Sequence, residues 1–585
     1  MSNDAIYDQA PWAKLYTPEQ LALHQGHAKA SHAWRSIPEM LSEAAAKYRQ
    51  RKAFTTCMPN GMNGCLTFGQ VDEMSTAFAH YLRGELGLQA GDRVAVQMPN
   101  CLSLPVAVIG VLKSGCILTS VNPLYSRREM KHQFSDAGVK AIVICDMFTD
   151  KLQDVIEQTP IKHVIVTSLA QWFPPVVRGI LKLVLKYWNK VIPPHQLTHH
   201  SIDQAIHLGR LRQKNDKLDV QEYWQGLTRD DTALLQYTGG TTGVAKGAML
   251  SHGNLLGNVE QMDSLVQGHI TSGQETVLTA LPLYHIFAFS VNLLEFWHQG
   301  AHNILVPSPR PIQNCQRAFD NYPISWMTGV NTLYNALLNE EWFTTFPPKH
   351  LKAALAGGTA LHATVAERWQ KAIRCPLVEG YGLTESSPVL CFNPLTDPRP
   401  DCIGIPTPGT QLRLVDDDGH TVPLGEPGEL IAKGVQIMQG YWQQPEETAH
   451  ALREGWLYTG DIAIMHPDGR LRLVDRKKDL ILVSGFNVYP NEVEEAIAGL
   501  EQVMESAVVG VPDPLTGEQV QAYVVLREQG LDETSVKKHC KKELAAYKVP
   551  KKVVFVDELP KTPVGKVLRK DVRAMALGQP TRSDH

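Results

Sequence analysis

The chain has 585 residues, 43% hydrophobic and 20% charged, with a formal net charge of −4. That length exceeds one ordinary domain, and that charge excludes a molecule whose whole surface binds nucleic acid. The ten cysteines form no Cys-x-x-Cys pair, the N-terminus lacks a basic-then-apolar signal pattern, and no stretch is apolar enough to span a bilayer. Free thiols in a reduced, cytoplasmic setting are therefore expected.

Up to about residue 225, apolar β-rich runs at 93–97, 141–145 and 163–167 alternate with helical periods such as 71–86. That alternation predicts a layered α/β sheet. A second block in the same style, about 226–397, has predicted strands at 233–238, 276–280, 303–306 and 351–356. From 398 to 474, short β runs are broken by Asp-Asp-Gly at 417–419 and Pro-Asp-Gly at 467–469, which predicts a small β-rich unit. The remainder, 475–585, reads as a compact α+β domain with strands at 506–511, 521–526 and 553–556 and helices at 490–498 and 534–547. Pro490 suits a first helical turn, with Glu492, Glu494 and Glu495 at the positive end of the helix dipole. The expected architecture is a large region, 1–474, of two α/β subdomains and a β-rich one, followed by a small domain whose boundary lies at Asp475. Its segment 535–573 carries 12 Lys and Arg against 4 Asp and Glu, a local basic excess that suits a phosphorylated ligand as well as a wet helix face.

The most specific motif is Tyr-Thr-Gly-Gly-Thr-Thr-Gly-Val-Ala-Lys-Gly at 237–247, directly after an apolar strand. Gly239, Gly240 and Gly243 free the backbone to turn its N–H groups toward an anion; Thr238, Thr241 and Thr242 add hydroxyls and Lys246 a positive charge. These are the parts of a polyphosphate cradle. It is not a Walker A loop, because Lys246-Gly247 leads into an apolar run rather than a Ser/Thr helix start.

Further strings follow in order: Pro-Leu-Tyr-His-Ile-Phe (282–287), Glu-Gly-Tyr-Gly-Leu-Thr-Glu-Ser (379–386), Gly-Trp-Leu-Tyr-Thr-Gly-Asp (455–461), Asp-Arg-Lys-Lys-Asp-Leu-Ile (475–481), Ser-Gly-Phe-Asn-Val-Tyr-Pro (484–490) and Pro-Lys-Thr-Pro-Val-Gly-Lys-Val (560–567). Together with the glycine-rich loop they resemble the adenylate-forming superfamily of acyl-CoA synthetases, amino-acid adenylation domains and firefly-type luciferases. The resemblance runs from about Ser36 to Met575. It implies that fold, with a mobile C-terminal lid, and a reaction in two halves. A carboxylate attacks the α-phosphate of ATP to give an acyl-adenylate and pyrophosphate; the thiol of coenzyme A then takes the acyl group and AMP leaves.

The resemblance assigns roles residue by residue. Thr238 and Glu385 face Mg²⁺, a hard cation that takes oxygen ligands. Tyr381 stacks on adenine, beside Gly357, Gly358 and Thr359, with Glu379, Gly380, Gly382 and Thr384 in the same pocket wall. Asp461 holds the ribose hydroxyls, and Arg476 reaches the same sugar. Lys566 bridges the substrate carboxylate and the α-phosphate. Asp475 is the hinge about which the lid presents first Lys566 and then the Gly485 segment; Lys478 and Gly485 belong with coenzyme A. His285 borders the acyl and nucleotide pockets, and Phe289 matches an aromatic gate to a fatty-acyl tunnel.

The segment around Asp461 and Asp475 resembles fatty-acyl-CoA synthetases in particular, so a long-chain fatty acid is the expected substrate. Residues 285–290 offer no Asp to pair an amino-acid ammonium. A ligase for a medium-chain or aryl acid, a fatty-acyl-AMP ligase and a lipid binder without activity are the alternatives. No insertion separates Asp461 from Arg476, where acyl-AMP ligases carry one near the domain boundary, and Lys566, Glu385 and Asp461 argue against an inactive binder.

Residues 172–194 place Arg178, Lys182, Lys186 and Lys190 four apart, among Ile180, Leu181, Val184, Tyr187, Trp188 and Val191, with no acid. That is the composition of an interfacial helix, which would collect fatty acids from the inner membrane face. A helix packed on its own domain has the same pattern. The oligomeric state stays open, a homodimer included.

Overall fold

The computed structural model describes residues 3–26, 34–238, 245–562 and 565–579. Two large sheets and the helices between them make the body. The first sheet runs in the order Gly440–Tyr441, Lys246–Ser251, Thr232–Thr238, Ile117–Ser120, Arg93–Gln97, Val139–Cys145, His163–Thr167, His200–Ser201. The second runs Ile405–Pro406, Val389–Phe392, Leu377–Gly382, Ala353–Ala356, Trp326–Gly329, Thr276–Thr279, His302–Leu305, Lys52–Cys57, Asn63–Thr67. Both have a parallel centre; the second has antiparallel strands at both edges, and the first only at its Gly440–Tyr441 side, its other edge, His200–Ser201, being parallel. Parallel strands need both faces covered. The helix Ser103–Lys113 does this for the first sheet, packed against Arg93–Gln97 and Ile117–Ser120, and is buried on every side. Its one charge, Lys113, is 1% exposed and rests 2.5 Å from Asp72. Burial lowers the Lys113 pKa, with Asp72 acting against that.

The contiguous division at about 225 and 397 does not describe these sheets. Strands 52–57 and 63–67 lie in the second sheet, whereas 232–238, 246–251 and 440–441 complete the first. Local pattern identifies a strand but not its partner, and the two sheets share one apolar core that lets the chain cross between them. The helical period at 71–86 is an α-helix, Phe68–His80, followed by a π-turn, Tyr81–Glu85. The helix predicted at 534–547 ends at Glu543, and a short 3₁₀ turn, Ala546–Lys548, follows.

A third, antiparallel sheet contains Gln411–Val415, Pro427–Lys433, Leu452–Arg453, Trp456–Met465 and Leu471–Arg476. The N-terminal arm packs on it: Tyr7, Trp12 and Tyr16 enter its core, and Arg413 lies 2.7 Å from Asp8. The small α+β unit follows, with a five-stranded sheet around Gly517–Leu526 and helices Pro490–Ala498, Glu533–Glu543 and Arg569–Ala576. All ten cysteines are free. Among the described residues no helix is long and apolar enough to cross a membrane.

Candidate active site

The hairpin of Thr232–Thr238 and Lys246–Ser251 places Thr238 opposite Lys246. Gly239, Gly240, Thr241, Thr242 and Gly243 lie outside the described residues. Lys246 Nζ is 2.5 Å from Glu447 Oε2 and sits 4.8 Å above the Tyr441 ring. The ammonium holds the Glu447 carboxyl below the ordinary carboxylate range. Tyr441 pairs with Ala248 on the hairpin's outer strand and donates its hydroxyl to Glu385 Oε1 at 2.7 Å.

The strand Leu377–Gly382 forms the opposite wall. It turns back sharply into Val389–Phe392, and only glycine fits at 382, where a Cβ would meet the Pro388 carbonyl oxygen at 1.8 Å. Glu379 on this strand is buried, accepts the Leu361 N–H at 3.2 Å, and is pushed up to about 8 by desolvation. Gly380 and Tyr381 follow; Thr384 opens the 3₁₀ turn that carries Glu385. Gly357, Gly358 and Thr359 follow the neighbouring strand Ala353–Ala356, and Thr359 Oγ1 accepts the Asn331 N–H at 3.4 Å.

Tyr381 donates its hydroxyl to Asp461 Oδ2 at 2.7 Å. Asp461 and Arg476 are register partners on adjacent strands, and the Arg476 Nε lies 3.2 Å from Asp461 Oδ1. A run of contacts thus connects Asp461 through Tyr381's strand to Glu385, Tyr441, Lys246 and Thr238, drawn from four separate segments of the chain. Beside them Thr459, Gly460, Asp461, Arg476, Lys477 and Lys478 line a cavity of about 360 Å³.

The small unit closes this cleft from one side. Gly565 adopts φ +91° against the body, where a Cβ would lie 2.9 Å from Thr332 Oγ1, so both the conformation and the close approach require glycine. Lys566 follows it into the cleft. Its pKa is lowered to about 7, first by desolvation and then by the charges of Arg476, Lys478 and Arg569, with Asp461 opposing. The same lysine charge reaches His285, whose pKa burial lowers to about 4 and whose Nδ1 accepts the Phe287 N–H at 3.3 Å. Lys478 is lowered to about 8 by desolvation and by Arg476, with Asp479, Asp461 and Glu385 opposing. Gly485 sits at an exposed turn with φ +84°, next to the exposed ring of Phe486. Phe289 is fully buried at the start of a π-turn, Phe289–Glu295. Asp475 is 0% exposed, and desolvation raises its carboxyl to about 6 against the pull of Arg569.

Sequence reading passed over Tyr441 and Glu447, which orient Glu385 and Lys246, and Arg569, which faces Asp475. Tyr441 and Glu447 share the string Gly-Tyr-Trp-Gln-Gln-Pro-Glu-Glu at 440–447, whose only local signal is a Pro-Glu helix start. Nothing local ties it to a lysine some 200 residues earlier.

A two-lobed fold whose cleft gathers a glycine-rich hairpin, a carboxylate-bearing strand and an inserted lysine defines a nucleotide-binding enzyme with a C-terminal lid. The AMP-binding enzyme family model matches residues 41–442, and the model of the AMP-binding enzyme C-terminal domain matches 492–566. The chain belongs to the AMP-binding enzyme family. It is 45% identical over 548 residues to the long-chain-fatty-acid–CoA ligase of Escherichia coli O6:H1, covering 93% of this chain and 95% of that one. It is 46% identical over 539 residues to the long-chain-fatty-acid–CoA ligase of Yersinia pestis, covering 92% and 94%. Among solved structures, the anthranilate CoA ligase AuaEII with anthranoyl-AMP superposes with a TM-score of 0.81 at 25% identity, covering 94% of this chain and 99% of that one.

Proposed function

We propose that this enzyme joins a long-chain fatty acid to ATP, forming an acyl-adenylate and releasing pyrophosphate, and then transfers the acyl group to the coenzyme A thiol with release of AMP. The observation that carries the reading is the cationic cleft. Lys566, Lys478 and Arg476 converge on it, and two of these three are amines held below their ordinary range by burial and by neighbouring cations. Such a cleft is stabilised by a polyanion. The same cations offset the charge that builds up when a carboxylate approaches a triphosphate. The names of the two ligases above support a fatty substrate.

Within this reading Lys566 holds the incoming carboxylate against the α-phosphate. Asp461 has acceptor capacity left beyond Tyr381 and Arg476, because an ionised carboxylate offers about four lone-pair sites, and it takes the ribose hydroxyls. Tyr381 presents its ring to adenine while its hydroxyl fixes Asp461. The Glu385 carboxylate and the Thr238 hydroxyl are hard oxygen donors on facing walls of one cleft, a donor set that suits Mg²⁺. The ion would supply charge neutralisation at the phosphates; Tyr441 orients the carboxylate that holds it. Residue 475 is the pivot about which the lid exchanges Lys566 for the Gly485 turn, and the basic segment 535–573 serves the phosphates of coenzyme A. His285 and Phe289 stand on the acyl side. Coenzyme A as acceptor is favoured by the connection between Trp456–Met465 and Leu471–Arg476, a tight turn with no inserted element.

Pyrophosphate release measured over acids of increasing chain length, with and without coenzyme A, tests the assignment. Turnover that rises with chain length and requires coenzyme A for thioester product is expected. A preference for aryl acids, or sustained turnover without coenzyme A, would replace it with the alternatives.

A peripheral membrane contact belongs to the same reading. The helix Pro175–Leu183 and the π-turn Val184–Trp188 pack inward through Leu181, Val177 and Leu185. Even so, Val176, Leu183, Tyr187 and Trp188 remain 74%, 60%, 66% and 86% exposed. Lys182, Lys186 and Lys190 stand beside this apolar stripe, while Arg178 is tied to Asp203 at 3.1 Å. An apolar stripe with a cationic flank matches an anionic lipid surface. Flotation with anionic and with zwitterionic vesicles should show binding to the anionic ones that Tyr187→Ser with Trp188→Ser abolishes; undiminished flotation of that double variant removes the contact.

A further inference from the structure

Arg569 opens the last helix, three residues after Lys566. Its guanidinium is enclosed by acceptors. Nε and Nη2 reach the two oxygens of Glu494 at 3.1 and 2.7 Å, and Nη2 also reaches Asn491 Oδ1. Nη1 donates to Asp475 Oδ1 at 3.1 Å and lies 3.5 Å from Asp479 Oδ2. Asp479, Asn491 and Glu494 belong to the small domain. Asp475 does not: it lies in the strand Leu471–Arg476 of the third sheet, registered against Ile462, one residue along from Asp461. One arm of the guanidinium therefore crosses from the lid to the body while the others stay inside the lid.

Asp475 is saturated on the same side. Oδ1 also accepts the Arg476 N–H at 2.7 Å, and Oδ2 accepts the Asn491 N–H at 2.7 Å. Arg476 in turn faces Asp461. The remaining described polar contacts that seat the Lys566 loop on the body are single bonds to backbone carbonyls. Thr332 Oγ1 donates to the Gly565 oxygen at 3.4 Å and Arg310 Nη2 to the Thr562 oxygen at 3.4 Å. Asn335 holds a third point, donating to the Met504 oxygen at 3.1 Å and accepting from Arg527 at 3.1 Å. Contacts of that length between a hydroxyl or a guanidinium and a carbonyl are weak beside a buried, charge-assisted pair. Lys477, next to the pivot, makes a further charged crossing, to Glu429 and Asp417, but from an exposed position.

We propose that Arg569 is a positioning residue for Lys566: its contact with Asp475 holds the lid in the adenylate-forming arrangement, and rotation of the lid requires that contact to break. Glu494 keeps the guanidinium compensated when Asp475 is released, so the exchange does not strand a buried cation. The inference rests on the reading that Lys566 serves the first half-reaction.

The test separates the halves. Arg569→Gln and Asp475→Asn are each assayed for acid-dependent ATP–pyrophosphate exchange and for thioester formation from preformed acyl-adenylate, with Lys566→Ala alongside and thermal melts on all. Exchange should fall by about tenfold in each, the range of ordinary coupling between two sites, with the thioester step held within about twofold. The double variant should lose no more exchange than the worse single one, since both remove one contact. Equal loss in both halves, additive losses or unchanged exchange would overturn the proposal. Should Arg569→Gln fail to fold, Asp475→Asn alone decides, because it leaves the Glu494 pair in place. Persistent exchange in Lys566→Ala would sink the underlying reading instead.

Discussion

The two sides of the cleft are built by different means. On the body, Thr238, Tyr381 and Asp461 each sit on a strand registered within a sheet of five to nine strands, and their neighbours are fixed by backbone ladders. On the lid, Lys566 sits on a loop seated by a few polar contacts and one buried ion pair. Under the proposed function the difference separates two kinds of group: those assigned to both half-reactions come from rigid elements, and the one assigned to a single half comes from the small C-terminal unit.

That division can be broken experimentally. The largest expected effect is Lys566→Ala, which should lower adenylate formation by on the order of 10²–10³, the loss seen when one charge-stabilising donor is removed. Thioester formation from preformed adenylate should stay nearly intact, as read by rapid quench of each half. Asp461→Ala comes next. A body residue should impair both halves together, by about tenfold or more, mainly through weaker nucleotide binding; equilibrium titration with ATP and with AMP measures it, and a loss confined to one half would erase the distinction.

The smallest effect concerns protons. Lys566 is lowered from 10.5 to about 7 in the nucleotide-free fold, and Lys478 from 10.5 to about 8. Because these folded values are depressed, the penalty on the charged amines is complete below pH 7. It fades as pH rises toward 10.5, so nucleotide-free stability should rise over that window. A bound triphosphate removes the penalty and draws protons back. Calorimetry near pH 8, in buffers of different ionisation enthalpy, should therefore show less than one proton taken up per lysine on ATP binding, and less in Lys566→Ala than in the parent. Equal uptake in both would show that Lys566 keeps its charge without nucleotide.

Much of this arrangement was legible in the residues. The glycine-rich loop, the Glu379–Ser386 string and the Gly565-Lys566 pair each carry local chemistry that a short window reveals, and the strands at 93–97, 163–167 and 233–238 followed from apolar runs alone. What escaped notice was pairing at a distance. Lys52–Cys57 falls within the first block, yet its neighbour is His302–Leu305, because the shared core accepts it there and local pattern carries no address. Tyr441 and Glu447 likewise gain meaning only once Lys246 and Glu385 stand against them, and Arg569 is one more cation in a basic segment except that the fold sets it against the buried Asp475.

The N-terminal arm has a practical consequence. The stretch matched by the AMP-binding model begins at residue 41, yet Trp12 is 1% exposed and its backbone lies against Gly469, in the turn linking the strands of Asp461 and Asp475. Trimming the protein to its recognisable family core would unroof that turn. Asp461 and Asp475, more than four hundred residues downstream, would then rest on a sheet stripped of part of its apolar lining.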